Sequence, residues 1–165
     1  MGTTTPSRER LPSIGNDMKR LESRKARCFP ESRTLSQLHR SHHCLQLITA
    51  KPEPYATQIL DHSNIAAFFS DVFAPTLDDR VTTKSVLVRS ALAGGRRKKS
   101  EIAMIGDRAE DLIAARENRI FSAAAAWGYG TSEELAEAKP DRIFHTMSEY
   151  VHWIESHDGA INQND

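Results

Sequence analysis

The chain has 165 residues, with 22 Lys and Arg against 22 Asp and Glu, and 39% of it is hydrophobic. That balance gives no general push towards nucleic acid. No segment has the length and apolarity of a membrane span or of a secretory signal, and two cysteines then suggest free thiols in a reducing, cytoplasmic setting.

Residues 1–44 hold nine Lys and Arg against four Asp and Glu and are rich in Ser, Pro and His. Their scattered apolar side chains (Leu11, Ile14, Met18, Leu21) cannot offset the entropy of ordering, so they read as a disordered basic leader. Acidic residues count against an organelle transit peptide. Cys28, His39, His42, His43 and Cys44 include metal-ligand types, but their spacing fits no zinc module and surface positions explain them.

From Leu45 onward the pattern changes to short apolar runs alternating with amphipathic stretches. Strands are expected near 45–49, 70–74, 101–105, 120–126 and 142–144. Between them the sequence predicts helices over 52–62, with Ala56, Ile59 and Leu60 inward, and over 82–93, with Val86, Leu87 and Leu92 inward and Gly94-Gly95 as the stop. A helix over 108–118 would end on Asn118 as a left-handed cap, and one near 147–156 would bury Tyr150, Trp153 and Ile154. Such alternation implies an α/β fold, a Rossmann-like parallel sheet with helices on both faces, over 45–156, followed by a flexible tail at 157–165. Arg96-Arg97-Lys98-Lys99 then falls in a solvated loop.

The chemistry gathers where strands end. In Met104-Ile105-Gly106-Asp107-Arg108-Ala109-Glu110-Asp111 an apolar strand stops on a glycine, and two carboxylates follow four residues apart. Ligands bind at that edge of a parallel sheet, and a pair of carboxylates on one helical turn suits Mg2+, which keeps several waters. A plain helix cap is the competing explanation. Upstream, Leu45-Gln46-Leu47-Ile48 ends on the hydroxyl of Thr49, and Lys84 lies near the start of the helix of a later unit. A hydroxyl donor, a cation and a metal clamp on successive βα units suit a phosphate group.

Thr49, Lys84 and the Gly-Asp-x-x-x-Asp of Asp107 and Asp111 resemble, in that order, the second, third and fourth motifs of the haloacid dehalogenase superfamily. Ile48-Thr49-Ala50-Lys51-Pro52, Ile59-Leu60-Asp61-His62, Ala67-Phe68-Phe69 and Trp127-Gly128-Tyr129-Gly130-Thr131-Ser132-Glu133-Glu134-Leu135 narrow the resemblance to its phosphoglycolate phosphatase-like branch, over about Leu45 to Tyr150. In the last of these, Thr131 and Glu134 have capping-box spacing, and the glycines would serve either close approach to a ligand or a left-handed turn.

The resemblance implies Mg2+-dependent hydrolysis of a small phosphorylated metabolite through an aspartyl-phosphate intermediate. Thr49 would donate to the phosphate, Lys84 would neutralise charge, and Asp107, supported by Asp111, would hold the metal. It also exposes an omission. The family's Asp-x-Asp nucleophile motif, at the end of a central first strand, is absent; Asp17 is the only aspartate before Thr49 and follows no apolar run. The family's helical cap is missing as well. A gap is therefore expected between the strands ending at Thr49 and Ile105, and little phosphatase activity from the chain alone. The alternative is a non-catalytic binding or oligomerisation module, including a homo-oligomer, that uses exposed sheet edges. A receiver-like signalling domain fits worst, because there the acidic cluster precedes the Thr and Lys.

Overall fold

The computed structural model describes residues 34, 36–38, 41, 43–79 and 82–157. Most of the basic leader, with Asp17, Cys28, His39 and His42, lies outside the described residues, as does the tail beyond His157.

The order of elements is β1 (Leu45–Ile48), α1 (Glu53–His62), β2 (Phe69–Phe73), α2 (Lys84–Ala93), β3 (Ala103–Gly106), α3 (Ala109–Glu117), β4 (Phe121–Ala125), α4 (Ser132–Glu137), β5 (Arg142–Phe144) and α5 (Met147–Ser156). Short 3-10 turns at Ala66–Phe68 and Lys99–Glu101 lead into β2 and β3. All five expected strands form within two residues of their expected positions, each a short stretch with apolar residues bounded by turn residues. Thr83, Thr131 and Thr146 cap α2, α4 and α5, each hydroxyl accepting from a backbone N–H three residues on.

Every strand pair is parallel, yet the strands form two sheets: β1 with β2, and β3 with β4 and β5. The division falls where the family resemblance implies a missing central strand. β4, paired on both edges, buries Ser122 through Ala125, whereas all four residues of β3 are only half-buried. β1 is likewise half-buried or exposed throughout.

Helices close both faces. On one, Val88 of α2 packs with Ala114, Ala115 and Ile120, and Ile48, Ile102 and Met104 lie against that cluster. On the other, Tyr150, Val151, Trp153 and Ile154 of α5 pack with Ala123 and Phe144, and Leu45 and Ile105 join them. Leu38, ahead of the boundary drawn at residue 44, is 4% exposed and belongs to this second cluster.

Two local expectations need correction. Val86 faces solvent at 44% exposure, and the inward row of α2 is Lys84, Leu87, Val88 and Ala91. Those positions follow the i, i+3, i+4, i+7 spacing of one helical face, which places Val86 on the opposite side. Asn118 is not left-handed: its φ is −90°, and Arg119 takes the positive φ of 58°. The Asn118 amide instead donates to Ala114 O (2.8 Å) and Ser85 O (3.0 Å), tying the end of α3 to α2. A buried amide satisfied in this way explains the Asn without any left-handed cap.

Candidate active site

The C-terminal end of β3 is shaped by what its glycine omits. A Cβ on Gly106 would overlap Cβ, Cγ and Oδ2 of Asp111, so only glycine lets the first turn of α3 lie against the strand end. Asp111 is consequently buried, with its side chain 8% exposed. Its Oδ2 accepts from the Arg108 N–H at 3.2 Å and its Oδ1 accepts from the Lys84 ammonium.

Lys84 reaches this point because it is the first residue of α2 and lies on that helix's inward face. Its side chain is 13% exposed, and the ammonium also donates to Glu110 Oε1 at 3.2 Å. Burial pulls the Lys84 pKa down, but the hydrogen bonds and charges of Asp111 and Glu110 outweigh it and leave the group above its usual value of 10.5. The ammonium stays charged at neutral pH, with one N–H of three uncommitted to these carboxylates.

Asp107 is not on the helix, contrary to the face-sharing argument from its spacing to Asp111. Arg108 is the N-cap and α3 begins at Ala109, so Asp107 belongs to the preceding turn. Its Oδ2 accepts from the Tyr129 N–H at 2.8 Å. The glycines of the 127–131 turn make this possible: a Cβ on Gly128 would overlap the Asp107 side chain, and one on Gly130 would overlap the Asp107 carbonyl. They are needed for close approach to Asp107, and neither has the positive φ of a left-handed turn. Among the described residues Asp107 Oδ1 has no hydrogen-bond partner.

Thr49 follows β1, where its N–H donates to Phe73 O at 3.0 Å. Its hydroxyl oxygen accepts from the Lys51 N–H at 3.1 Å, which leaves the O–H free to donate elsewhere. Lys84 and Asp111 are thus brought into direct contact and Asp107 is seated in the adjoining turn. Among the described residues no hydrogen bond or ion pair joins Thr49 to any of the three.

One contributor was not visible from sequence. Glu134 has the spacing of a capping residue for α4, and the Thr131 hydroxyl does accept from its N–H at 3.1 Å. Its carboxylate, however, reaches across to the start of α3, where Oε1 accepts from Ala109 N at 2.9 Å and from Arg108 Nε at 2.8 Å. The Ala109 N–H, then the Arg108 guanidinium, hold the Glu134 carboxyl below its usual 4.5. No local signal announces a partner 26 residues away.

Two carboxylates thus face one ammonium at the C-terminal end of a parallel strand, the edge at which α/β proteins bind their ligands. Residues 13–125 match the family model "Haloacid dehalogenase-like hydrolase", and the chain belongs to that family. It is 30% identical to a phosphoglycolate phosphatase of Vibrio cholerae, over 67% of this chain and 49% of that protein. It is 29% identical to a 5'-nucleotidase of Pseudomonas aeruginosa, over 70% of this chain and 52% of that one. Among solved structures, a predicted phosphatase from Clostridium acetobutylicum superposes with a TM-score of 0.71 at 31% identity, covering 75% of this chain and 57% of its own. The chain spans about half the length of the relatives it matches. Among the described residues no helix is long and apolar enough to cross a membrane.

Proposed function

We propose that this chain carries the phosphate- and Mg2+-holding part of a phosphomonoester hydrolase of the phosphoglycolate phosphatase-like branch, and that these 165 residues alone do not turn over substrate. The contact between Lys84 and Asp111 at the end of β3 carries the reading, since it joins the third and fourth motifs across two βα units.

The donor set fits a hard divalent cation. Asp107 offers Oδ1, while both oxygens of Asp111 already accept hydrogen bonds, so Asp111 supports the site by orienting Lys84 and the Arg108 turn. Mg2+ bound there would supply charge neutralisation for a phosphoryl group. Lys84 would direct its remaining N–H, and Thr49 its hydroxyl hydrogen, at phosphate oxygens. None of these groups is a nucleophile for phosphorus, and the sequence contains no Asp-x-Asp pair to provide one. The substrate class that fits is a small phosphorylated metabolite; phosphoglycolate rests on likeness to relatives alone.

The test couples binding to turnover. Calorimetry should show Mg2+ binding that Asp107→Ala abolishes, while para-nitrophenyl phosphate hydrolysis stays at the level of that variant. Turnover lost in Asp107→Ala would overturn the inactive part of the reading, and absence of Mg2+ binding would overturn the metal part. A second reading, a module that binds through its sheet edges, is favoured by the division of the sheet.

A further inference from the structure

We infer that the end of the molecule opposite the candidate site, where β3 and β4 begin, holds the phosphate backbone of a nucleic-acid duplex. The inference does not depend on the metal site.

The even charge balance of the whole chain hides a local excess. Residues 89–101 and 117–120 carry Arg89, Arg96, Arg97, Lys98, Lys99 and Arg119 against only Glu101 and Glu117. Folding brings these segments to one end: the 3-10 turn at Lys99–Glu101 leads into β3, Arg119 lies just ahead of β4, and Arg89 stands one turn before the end of α2. Arg89, Lys99 and Arg119, from three separate segments, line one open cleft together with Leu92, Ala93 and Glu117.

The fold itself uses one of the six. Lys99 Nζ donates to Asn118 O at 2.8 Å and so satisfies the end of α3. The loop of Arg96, Arg97 and Lys98 is solvated as its sequence predicts, and among the described residues neither these three nor Arg89 and Arg119 form an ion pair. Arg119 has a φ of 58°, in the left-handed position after a helix that glycine takes without strain. A cation therefore stands there against the local backbone preference, which is the kind of outlier that function maintains.

The composition of the patch selects its occupant. Four of the six cations are arginines, whose planar fork takes two phosphate oxygens at once. Neither segment contains an aromatic residue, so the unstacked bases of a single strand would find no ring to rest on. None of the exposed large apolar side chains among the described residues falls in these segments, so nothing here would enter a bilayer. A duplex needs neither feature and offers a stiff, dense row of phosphates, about one charge per 1.7 Å of its axis.

The probe is a fluorescent DNA duplex of about 20 base pairs, titrated with the full chain over a range of salt concentrations. Binding at low ionic strength that weakens steeply with salt is expected. Replacing Arg96 and Arg97 together by Ala should weaken it at least about tenfold and reduce the slope of log K against log salt by about 2. Arg119→Gly should reduce the slope by about 1 while its melting temperature stays level or rises, because glycine suits the left-handed position. Absence of binding at low salt would overturn the inference. Unchanged affinity and slope in the double variant would assign binding to other cations, such as those of residues 1–44, and overturn it as well. So would an Arg119→Gly variant that melts lower and binds as before, since Arg119 would then be a counter-charge to the end of α3. Equal affinity for polyglutamate of matched charge, or tighter binding to phosphatidylserine vesicles, would reject a phosphate backbone as the occupant and overturn the inference too.

Discussion

The ammonium of Lys84 and the carboxylate of Asp111 form a nearly buried ion pair that ties the first turn of α2 to the first turn of α3. Because α2 packs on β1 and β2, and α3 on β3 and β4, this pair also links the two separate sheets at the edge where the candidate site lies.

Replacing Lys84 by Met should therefore destabilise the chain by about 3 kcal/mol, the lower end of the cost of leaving one partner of a buried pair uncompensated, since Asp111 keeps its bond from Arg108. Mg2+ should recover part of this loss, because a cation near Asp111 replaces the missing charge. Urea unfolding of parent and variant, with and without Mg2+, measures both effects.

The same pair sets an alkaline limit. The Lys84 pKa is raised on folding, so its contribution is complete below the ordinary 10.5 and is lost as pH rises through the folded value. Unfolding midpoints of the parent should fall more steeply above about pH 10.5 than those of Lys84→Met, which lacks the titrating group.

Two glycines should respond to alanine in opposite directions. Gly128→Ala puts a methyl group into the Asp107 side chain and should cost about 1–3 kcal/mol, with weaker Mg2+ binding. Gly94→Ala meets nothing within 4 Å at a φ of −86°, so stability should stay level or rise by about 0.4–1 kcal/mol. Thermal melting of the two variants side by side checks the contrast.

Glu134 acts on the site through the start of α3. Glu134→Ala removes the acceptor for Ala109 N and Arg108 Nε together and should lower Mg2+ affinity more than Glu134→Gln, which can still accept from Ala109 N. The depressed Glu134 pKa means that its contribution is present above about 4.5 and disappears as pH falls through the folded value. Mg2+ titrations at neutral and acid pH would show a smaller acid loss in Glu134→Ala than in the parent.

The order of elements was legible because apolar runs and turn residues mark strand ends locally: Ile48 before Thr49, Ile105 before Gly106, Ala125 before the 127–131 turn. The motif residues were legible for the same reason, each standing directly after a strand or at the start of a helix. The divided sheet could be foreseen only through the family resemblance, which implies a central strand for which no apolar run stands before Leu45.

Tertiary structure alone decided which partners those residues meet. Sequence spacing suggested that Asp107 and Asp111 share a helical face, but packing seats Asp107 under Gly128 and Asp111 under Gly106. Glu134 looks like a cap and also serves as a clasp on Arg108 and Ala109, while Val86 and Val88, equally apolar, part ways because only one faces α3. Strand and helix signals arise from a few neighbouring residues, whereas a side chain's partner depends on how closely separate elements approach, which no local pattern encodes.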